Sequence, residues 1–163
     1  MTGEREAVIA LGANLGDREA TIRAALAELD RADGLRILDV SPLAETAALT
    51  PRGVDPGKPA YLNAVAIAAT ALAPLELLDV LAAVETAHGR VRAERWGDRT
   101  LDLDLVQLEG VELDTERLTL PHPRAAERDF VLGPWAAVRP DAVLAGHGPV
   151  AELLAGLSAG SRP

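Results

Sequence analysis

The sequence has no cysteine among its 163 residues. This absence excludes disulfide bonds, thiolate zinc sites and thiol catalysis, and it fits a reducing, cytoplasmic location. At about 150 residues per domain, we expect residues 1–163 to form a single domain. A chain of this length buries ~70% of the surface of its unfolded state, so it needs no disulfides to hold a core.

The chain also lacks the segments that direct a protein to a membrane. No basic stretch followed by an apolar run opens it, so we expect no secretory signal. The longest uncharged run, residues 59–75, is interrupted by Asn63, Thr70 and Pro74. This run is too short and too polar to span a bilayer, so we expect no membrane partner.

Positive charge is scarce, because 16 basic residues face 25 acidic ones and the net charge is −9. Such a chain repels polyanions, so we expect no nucleic acid partner. Residues 89–99 reverse this balance, with four arginines against Glu94 and Asp98. This local cluster predicts binding of a small anion, phosphate first, although a solvated salt-bridge face is the commoner use of surface charge.

Aromatic residues are few, namely Tyr61, Trp96, Phe130 and Trp135, so the core must be mainly aliphatic. Tyr61 and Asn63 fall on one face of a strand, where an aromatic ring beside an amide suits a flat heterocycle. Core packing is nevertheless the more frequent role of an isolated aromatic residue.

The apolar patterns predict strands over residues 7–11, 35–46, 61–69 and 101–108. Two amphipathic helices, one capped by Asp17 and one beginning at Pro74, separate the first strand from the second and the third from the fourth. The order β-α-β-β-α-β predicts an α+β, ferredoxin-like fold, an antiparallel sheet with helices on one face. Short helices over 130–138 and 150–157 would form a C-terminal helical extension.

The connections carry further predictions. We expect a glycine turn at residues 12–16 and a long functional loop at residues 47–60. Pro42 predicts an edge or a bulge within the second strand. Residues 111–113 suggest a strand that returns after Gly110.

Two aspartates, Asp102 and Asp104, alternate with leucines on the fourth strand. The aspartates therefore share one face, while Leu101, Leu103 and Leu105 point into the core. Mg²⁺ prefers such oxygen ligands together with substrate phosphates. Beside the arginine-rich segment they predict a metal–phosphate site for phosphoryl transfer, although two solvated aspartates would be the commoner explanation of the spacing alone.

Three segments together, residues 10–17 (ALGANLGD), 61–64 (YLNA) and 89–104 (GRVRAERWGDRTLDLD), closely resemble the 6-hydroxymethyl-7,8-dihydropterin pyrophosphokinases of folate biosynthesis. Residues 118–124 (LTLPHPR) and 128–130 (RDF) complete the match. The resemblance runs in order through nearly the whole chain.

The resemblance implies an ATP-dependent diphosphotransferase that moves pyrophosphate from ATP to the hydroxymethyl group of the pterin and releases AMP. It implies two Mg²⁺ ions held by Asp102 and Asp104, with Arg90 and Arg99 closing over the phosphates. The implied pterin-binding residues are Thr46, Tyr61, Asn63, Trp96 and Phe130. The implied nucleotide-binding residues are Glu85, Arg92, Thr119, His122 and Arg128. The implied protein is a cytoplasmic monomer whose product passes to dihydropteroate synthase.

The chain departs from the family pattern at several positions. Ala73 stands where a hydroxyl residue would cap the second helix, at a cost of ~1 kcal/mol. Ala82 replaces a frequent glutamine near the nucleotide, and Asp98 replaces a common proline. Two other functions compete with this reading: a magnesium-dependent phosphohydrolase that uses the same aspartates and arginines, and a non-catalytic ligand-sensing module.

Overall fold

The computed structural model describes residues 4–13, 17–46, 49–50, 53–54, 61–88 and 101–160, and only the backbone of residues 46, 49–50, 53–54, 61 and 158–160. The strands of the main sheet are β1 (Arg5–Ala13), β2 (Leu35–Val40), β3 (Ala44–Thr46), β6 (Tyr61–Thr70) and β7 (Asp102–Leu108). Three small hairpins pair β4 (Leu49–Thr50) with β5 (Gly53–Val54), β8 (Leu113–Asp114) with β9 (Thr119–Leu120), and β10 (Val143–Leu144) with β11 (Gly148–Pro149). The helices are α1 (Arg18–Arg31), α2 (Pro74–Ala87), α3 (Asp129–Val138) and α4 (Val150–Gly160), with a short 3₁₀ helix over Ala125–Glu127.

The main sheet has the strand order β2-β6-β1-β7, with β3 pairing with β6 beyond the end of β2. Strand β6 is antiparallel to both β1 and β2, and β7 is antiparallel to β1. Strands β1 and β2 therefore run parallel, joined by α1, with β6 inserted between them. This is the split β-α-β arrangement, and it confirms the predicted ferredoxin-like fold.

Helix α1 begins and packs as its sequence pattern predicts. The Asp17 carboxylate accepts a hydrogen bond from the backbone N–H of Ala20 at 3.0 Å, which satisfies one of the free donors of the first turn. Ile22, Ala25 and Leu29 form its fully buried face. The α1 helix thereby covers one side of the sheet.

Helix α2 begins at Pro74 without a side-chain cap from Ala73. The Glu76 carboxylate instead accepts a hydrogen bond from the Ala73 N–H at 2.9 Å, which is the return half of a capping box. Leu77 and Leu81 are buried beside α1, so both helices of the motif lie on one face of the sheet, as predicted.

The C-terminal extension covers the opposite face of the sheet. On β1 the side chains alternate, so that Ile9 and Leu11 join the core under α1 and α2 while Val8 joins a second core. In that second core Leu132 and Trp135 of α3 pack on the sheet. Trp135 is 2% exposed, so it serves packing. No described helix is both long and apolar enough to cross a membrane.

Three sequence-based boundaries were wrong. The strand predicted over residues 35–46 is broken at 41–43, because Pro42 lacks the N–H that a strand ladder needs. Ser41 within the break still bonds to β6. Ser41 donates its N–H to the Val65 carbonyl and accepts the Val65 N–H on its hydroxyl, both at 2.9 Å. The β2–β6 register also shifts between Ile37 and Asp39.

The other two corrections concern the ends of β1 and β7. Gly12 was predicted to begin a turn, but it continues β1 because strands pair with it on both sides. The return strand predicted over residues 111–113 does not pair with β7. Leu113 pairs instead with Leu120, so the chain after Gly110 folds into its own hairpin.

Candidate active site

A row of paired residues crosses four strands at the end of the main sheet. Gly12 of β1 lies opposite Asn63 of β6 on one side and opposite Asp102 of β7 on the other. Ala44 of β3 lies opposite Asn63. Directly paired residues share a face, so the amide of Asn63 and the carboxylate of Asp102 flank a glycine. Because Gly12 has no side chain, it contributes only backbone to the surface between them.

Asp104 lies on the same face, opposite Ala10 of β1. Both aspartates are partly exposed, while Leu103 and Leu105 between and beyond them are buried on the other face. The alternation predicted from the sequence is therefore confirmed. The aspartate face is continuous with the second core, to which Val106 of the same strand belongs.

Arg128, immediately before α3, connects the aspartates with an aromatic ring. Its Nη1 atom lies 3.8 Å from Oδ2 of Asp104. Its guanidinium carbon lies 5.7 Å from the ring centroid of Phe130, within the range of a cation–π contact. The predicted phosphate ligand, metal ligand and pterin-stacking residue are thus in contact.

His122 is held in place by its own backbone and by the turn that follows. Its N–H donates to the Val106 carbonyl of β7 at 2.7 Å. Its Nδ1 accepts a hydrogen bond from the Arg124 N–H at 3.2 Å, which leaves the proton of the neutral ring on Nε2. Burial lowers the pKa of His122 below 6.5, and Arg128 and Arg124 lower it further while Asp104 opposes the shift. The ring is therefore neutral near pH 7 and can donate from Nε2.

Glu85 of α2 lies against the backbone of the aspartate strand. It is 6% exposed, and its Oε2 accepts the N–H of Leu103 at 2.8 Å. Leu103 separates the two aspartates, so Glu85 fixes the strand between them. Its predicted contact with nucleotide stays a prediction.

Thr119 lies in β9, whose hairpin with β8 is tied to α2. The Arg117 guanidinium donates to the Asp79 carboxylate at 2.6 Å. Thr119 in this hairpin is partly buried. It precedes His122 by three residues, so two predicted nucleotide residues lie on one short segment.

Other predicted residues cannot be placed in this arrangement. Arg90, Arg92, Trp96 and Arg99 lie outside the described residues. The backbones of Thr46 and Tyr61 pair with each other at the end of β3, one pair beyond Ala44 and Asn63, but their side chains lie outside the description.

Sequence reasoning missed Gly12 as part of the site. The available signal was a glycine directly after a buried apolar strand, since glycine in a strand often marks close approach of another group. The side chain of Arg124 was also not singled out, although it influences His122.

Of two cavities on the described part of the structure, one lies beside a predicted site residue and the other lies away from the site. A cavity of about 280 Å³ lies beside Phe130, between α3 and residues 42–44. A larger one of about 480 Å³ lies at the other end of β1 and β7, where Glu6, Glu109 and Glu112 line it. Three carboxylates repel a polyphosphate, so the chemistry disfavours the larger cavity as the nucleotide site.

The family model of the 7,8-dihydro-6-hydroxymethylpterin-pyrophosphokinases (HPPK) matches residues 8–140. The match covers well over half of the chain and includes every element that forms the site. This chain belongs to that family. The predicted family is therefore confirmed, and the residues placed above can be considered as parts of a pyrophosphokinase.

Curated relatives align with nearly the full length of this chain. The chain is 44% identical over 147 residues to the 2-amino-4-hydroxy-6-hydroxymethyldihydropteridine pyrophosphokinase of Pseudomonas aeruginosa, covering 90% of this chain and 88% of that relative. It is 37% identical over 154 residues to a folic acid synthesis protein of Schizosaccharomyces pombe, covering 94% of this chain and 20% of the relative.

A crystal structure of Plasmodium falciparum HPPK-DHPS superimposes with a TM-score of 0.70 at 14% identity. The superposition covers 94% of this chain and 44% of that chain, so the chain spans less than half of the solved protein. At this identity the likeness concerns the fold alone, and it confirms the predicted fold.

Proposed function

We propose that the sheet face that carries Asp102, Asp104 and Asn63 is where this chain transfers pyrophosphate from ATP to 6-hydroxymethyl-7,8-dihydropterin, in folate biosynthesis. The reaction is that of the family to which the chain belongs. The observation that carries the assignment is the position of Arg128, which lies beside Asp104 and over the ring of Phe130. One cation thereby joins the phosphate half of the site to the pterin half.

The products define which bonds change. The hydroxymethyl oxygen attacks the β-phosphorus of ATP, the bond from that phosphorus to the α-phosphate oxygen breaks, and AMP leaves. The hydroxyl proton is released to solvent, so the products are the pterin pyrophosphate, AMP and a proton. In such a transfer the protein mainly orients the reactants and stabilises charge on the phosphates.

Asp102 and Asp104 are proposed to hold two Mg²⁺ ions. Their donor set fits, because both are partly exposed carboxylates on one face and Mg²⁺ prefers oxygen ligands. Within the described ranges no group of three or more His, Cys, Asp or Glu could hold a metal by itself. Such a pair suits cations whose remaining ligands are phosphate oxygens and water. When bound, they supply charge neutralisation at the phosphates.

His122 and Arg128 are proposed to bind the phosphates. The neutral ring of His122 donates from Nε2, which adds a directed hydrogen bond without a charge that Arg128 and Arg124 would repel. Arg128 supplies the positive charge. We propose that Arg90 and Arg99 are catalytic residues that likewise supply positive charge to the phosphates. Further proposed nucleotide contacts are Glu85, Arg92 and Thr119.

The pterin is proposed to lie between Tyr61 and Phe130, with Asn63 hydrogen-bonding to its edge. Phe130 is half-buried at the start of α3, and Asn63 is 5% exposed in the row beside Gly12. The backbone of Thr46 and the side chain of Trp96 would complete the pterin site. A ring stacked on Phe130 would lie near Arg128 and hence near the phosphates.

The remaining proposals concern the molecule as a whole. We propose a single catalytic domain over residues 1–163, supported by two cores that share one sheet. We also propose a cytoplasmic monomer, with dihydropteroate synthase using its product. Sedimentation of the purified protein would test the monomer, and cell fractionation would test the location.

The activity is tested with purified protein, ATP, Mg²⁺ and 6-hydroxymethyl-7,8-dihydropterin. We expect AMP and the pterin pyrophosphate in equal amounts, and no product without Mg²⁺. ATP cleavage at the same rate without pterin would instead support a phosphohydrolase. Ligand binding with no turnover under any of these conditions would support a sensing module.

A further inference from the structure

An ion pair joins the start of α1 to the edge strand β3. Nη2 of Arg18 lies 2.5 Å from Oε2 of Glu45, and the two residues are 27 positions apart in sequence. The Arg18 side chain is 28% exposed and that of Glu45 is 59% exposed. We call this pair the α1–β3 clasp.

The clasp lies on the side of the sheet opposite the proposed site. Glu45 pairs with Leu62, which packs against the core under α1 and α2. Its neighbour Ala44 pairs with Asn63, on the aspartate face. A change in the position of Glu45 therefore moves the backbone that lies beside Asn63.

Strand β3 is a short edge segment. It is three residues long, and in the described part of the chain it pairs with the end of β6, from Asn63 to Tyr61, and contacts α3. The break at residues 41–43 separates it from β2, although Ser41 within the break keeps two hydrogen bonds to Val65. Short edge segments with few buried contacts open readily, and an added contact biases where they lie.

Helix α1 is a firm attachment point by comparison. Its first turn is capped by Asp17, and Ile22 and Leu29 are fully buried. Arg18 is the first residue of this helix, and the preceding strand β1 ends at Ala13, next to Gly12 of the site row. The clasp thus ties β3, at the edge of the sheet, to α1, which follows the strand that contains Gly12 of the site row.

We propose that Arg18 and Glu45 are positioning residues for pterin binding, which hold β3 and the paired end of β6 in the register that the pterin requires. This inference rests on the proposed function, because it assigns the pterin to the β3–β6 end of the site. It predicts that the clasp affects pterin affinity and leaves nucleotide affinity unchanged, since His122 and Arg128 lie on other elements.

The size of the effect follows from the exposure of the pair. Partly exposed ion pairs contribute modestly, so we expect Arg18→Gln and Glu45→Gln each to raise the Kd of the pterin about two- to fivefold. The double variant Arg18→Glu with Glu45→Arg reverses both charges and should restore the Kd to within about twofold of the original.

The matched control is Arg23→Gln. It breaks the Arg23–Glu19 pair, which has a 2.8 Å separation and lies within α1, four residues apart in sequence. We expect this control to leave the Kd values of both substrates unchanged. A purely structural role of the clasp would raise both Kd values or only lower the melting temperature.

The experiment measures the Kd of the pterin and of a non-hydrolysable ATP analogue for each variant of the full chain, together with amide hydrogen exchange at residues 44–46. We expect faster exchange there in Arg18→Gln than in Arg23→Gln. If the starting protein binds no pterin, the proposed function fails and the inference fails with it. If it binds pterin but the clasp variants match Arg23→Gln, or charge reversal restores nothing, only the clasp is refuted.

Discussion

The two faces of the main sheet are built from the same strands but are covered differently. The face under α1 and α2 is closed along its length, and Ile9, Leu11 and Leu103 are buried there. Among the described residues, α3 and α4 cover the part of the opposite face that includes Val8 and Val106, while Asp102 and Asp104 on that face are partly exposed. We call the part that carries the two aspartates the open face. Strands with period-two alternation can therefore build a rigid core and an open polar site from adjacent residues.

The sharpest test of this comparison removes the aspartates. We expect Asp102→Ala or Asp104→Ala to abolish turnover while leaving the fold intact, because each loss removes a proposed metal ligand from a partly exposed position. Steady-state kinetics with Mg²⁺ would check the loss of turnover, and circular dichroism would check that the fold is intact. Near-normal Mg²⁺-dependent turnover in either variant would refute the metal assignment.

Arg128→Ala tests whether the cation at the edge of the open face acts in the reaction. We expect kcat to fall about 10²–10³-fold, as when one preorganised charge donor is lost. The control is Arg124→Ala, an exposed neighbour whose backbone N–H still reaches His122. A rise in KM for ATP with unchanged kcat would show uniform ground-state binding instead.

Leu103→Ala probes the closed face between the same two aspartates. Leu103 is 5% exposed, and its truncation should lower the free energy of unfolding by about 2–5 kcal/mol. The backbone N–H that Glu85 accepts is retained. We expect the folded fraction to keep turnover within about tenfold, which denaturant titration and active-site counting would check. Full inactivation with unchanged stability would contradict the two-face comparison.

The pKa of His122 reports the charge balance at the open face. We expect an NMR titration of the metal-free protein to give a value below 6.5, with Asp104→Asn lowering it and Arg128→Gln raising it. The unfolded chain then binds more protons, so His122 destabilises the folded state as pH falls below about 6.5. A pKa above 6.5 would contradict burial as the dominant cause.

The smallest expected effect lies far from the site, at the start of α2. Ala73→Ser would add the missing half of the capping box and raise the free energy of unfolding by ~1 kcal/mol. Ala73→Ser combined with Glu76→Ala, which removes the acceptor for the Ala73 N–H, would show whether the two halves act together. Turnover should not change, and a destabilised Ala73→Ser would mean that the Ala73 backbone is not poised to cap.

Local patterns were enough to predict much of this molecule. The Asp17 cap, the start of α2 at Pro74 and the alternation around Asp102 and Asp104 all depend on residues within a few positions of one another. Such features follow from helix and strand periods, which the sequence displays directly. The motif order also predicted the split β-α-β topology.

The arrangement of the site was decided by contacts between distant residues. Gly12 became part of the site only through its pairing with Asn63 and Asp102, and Arg128 reaches Asp104 from outside the sheet. The periodicity of apolar residues in a strand cannot show which face of the sheet a C-terminal extension will cover. That choice depends on where α3 finds apolar surface to bury, and in the described part of the chain it leaves Asp102 and Asp104 partly exposed.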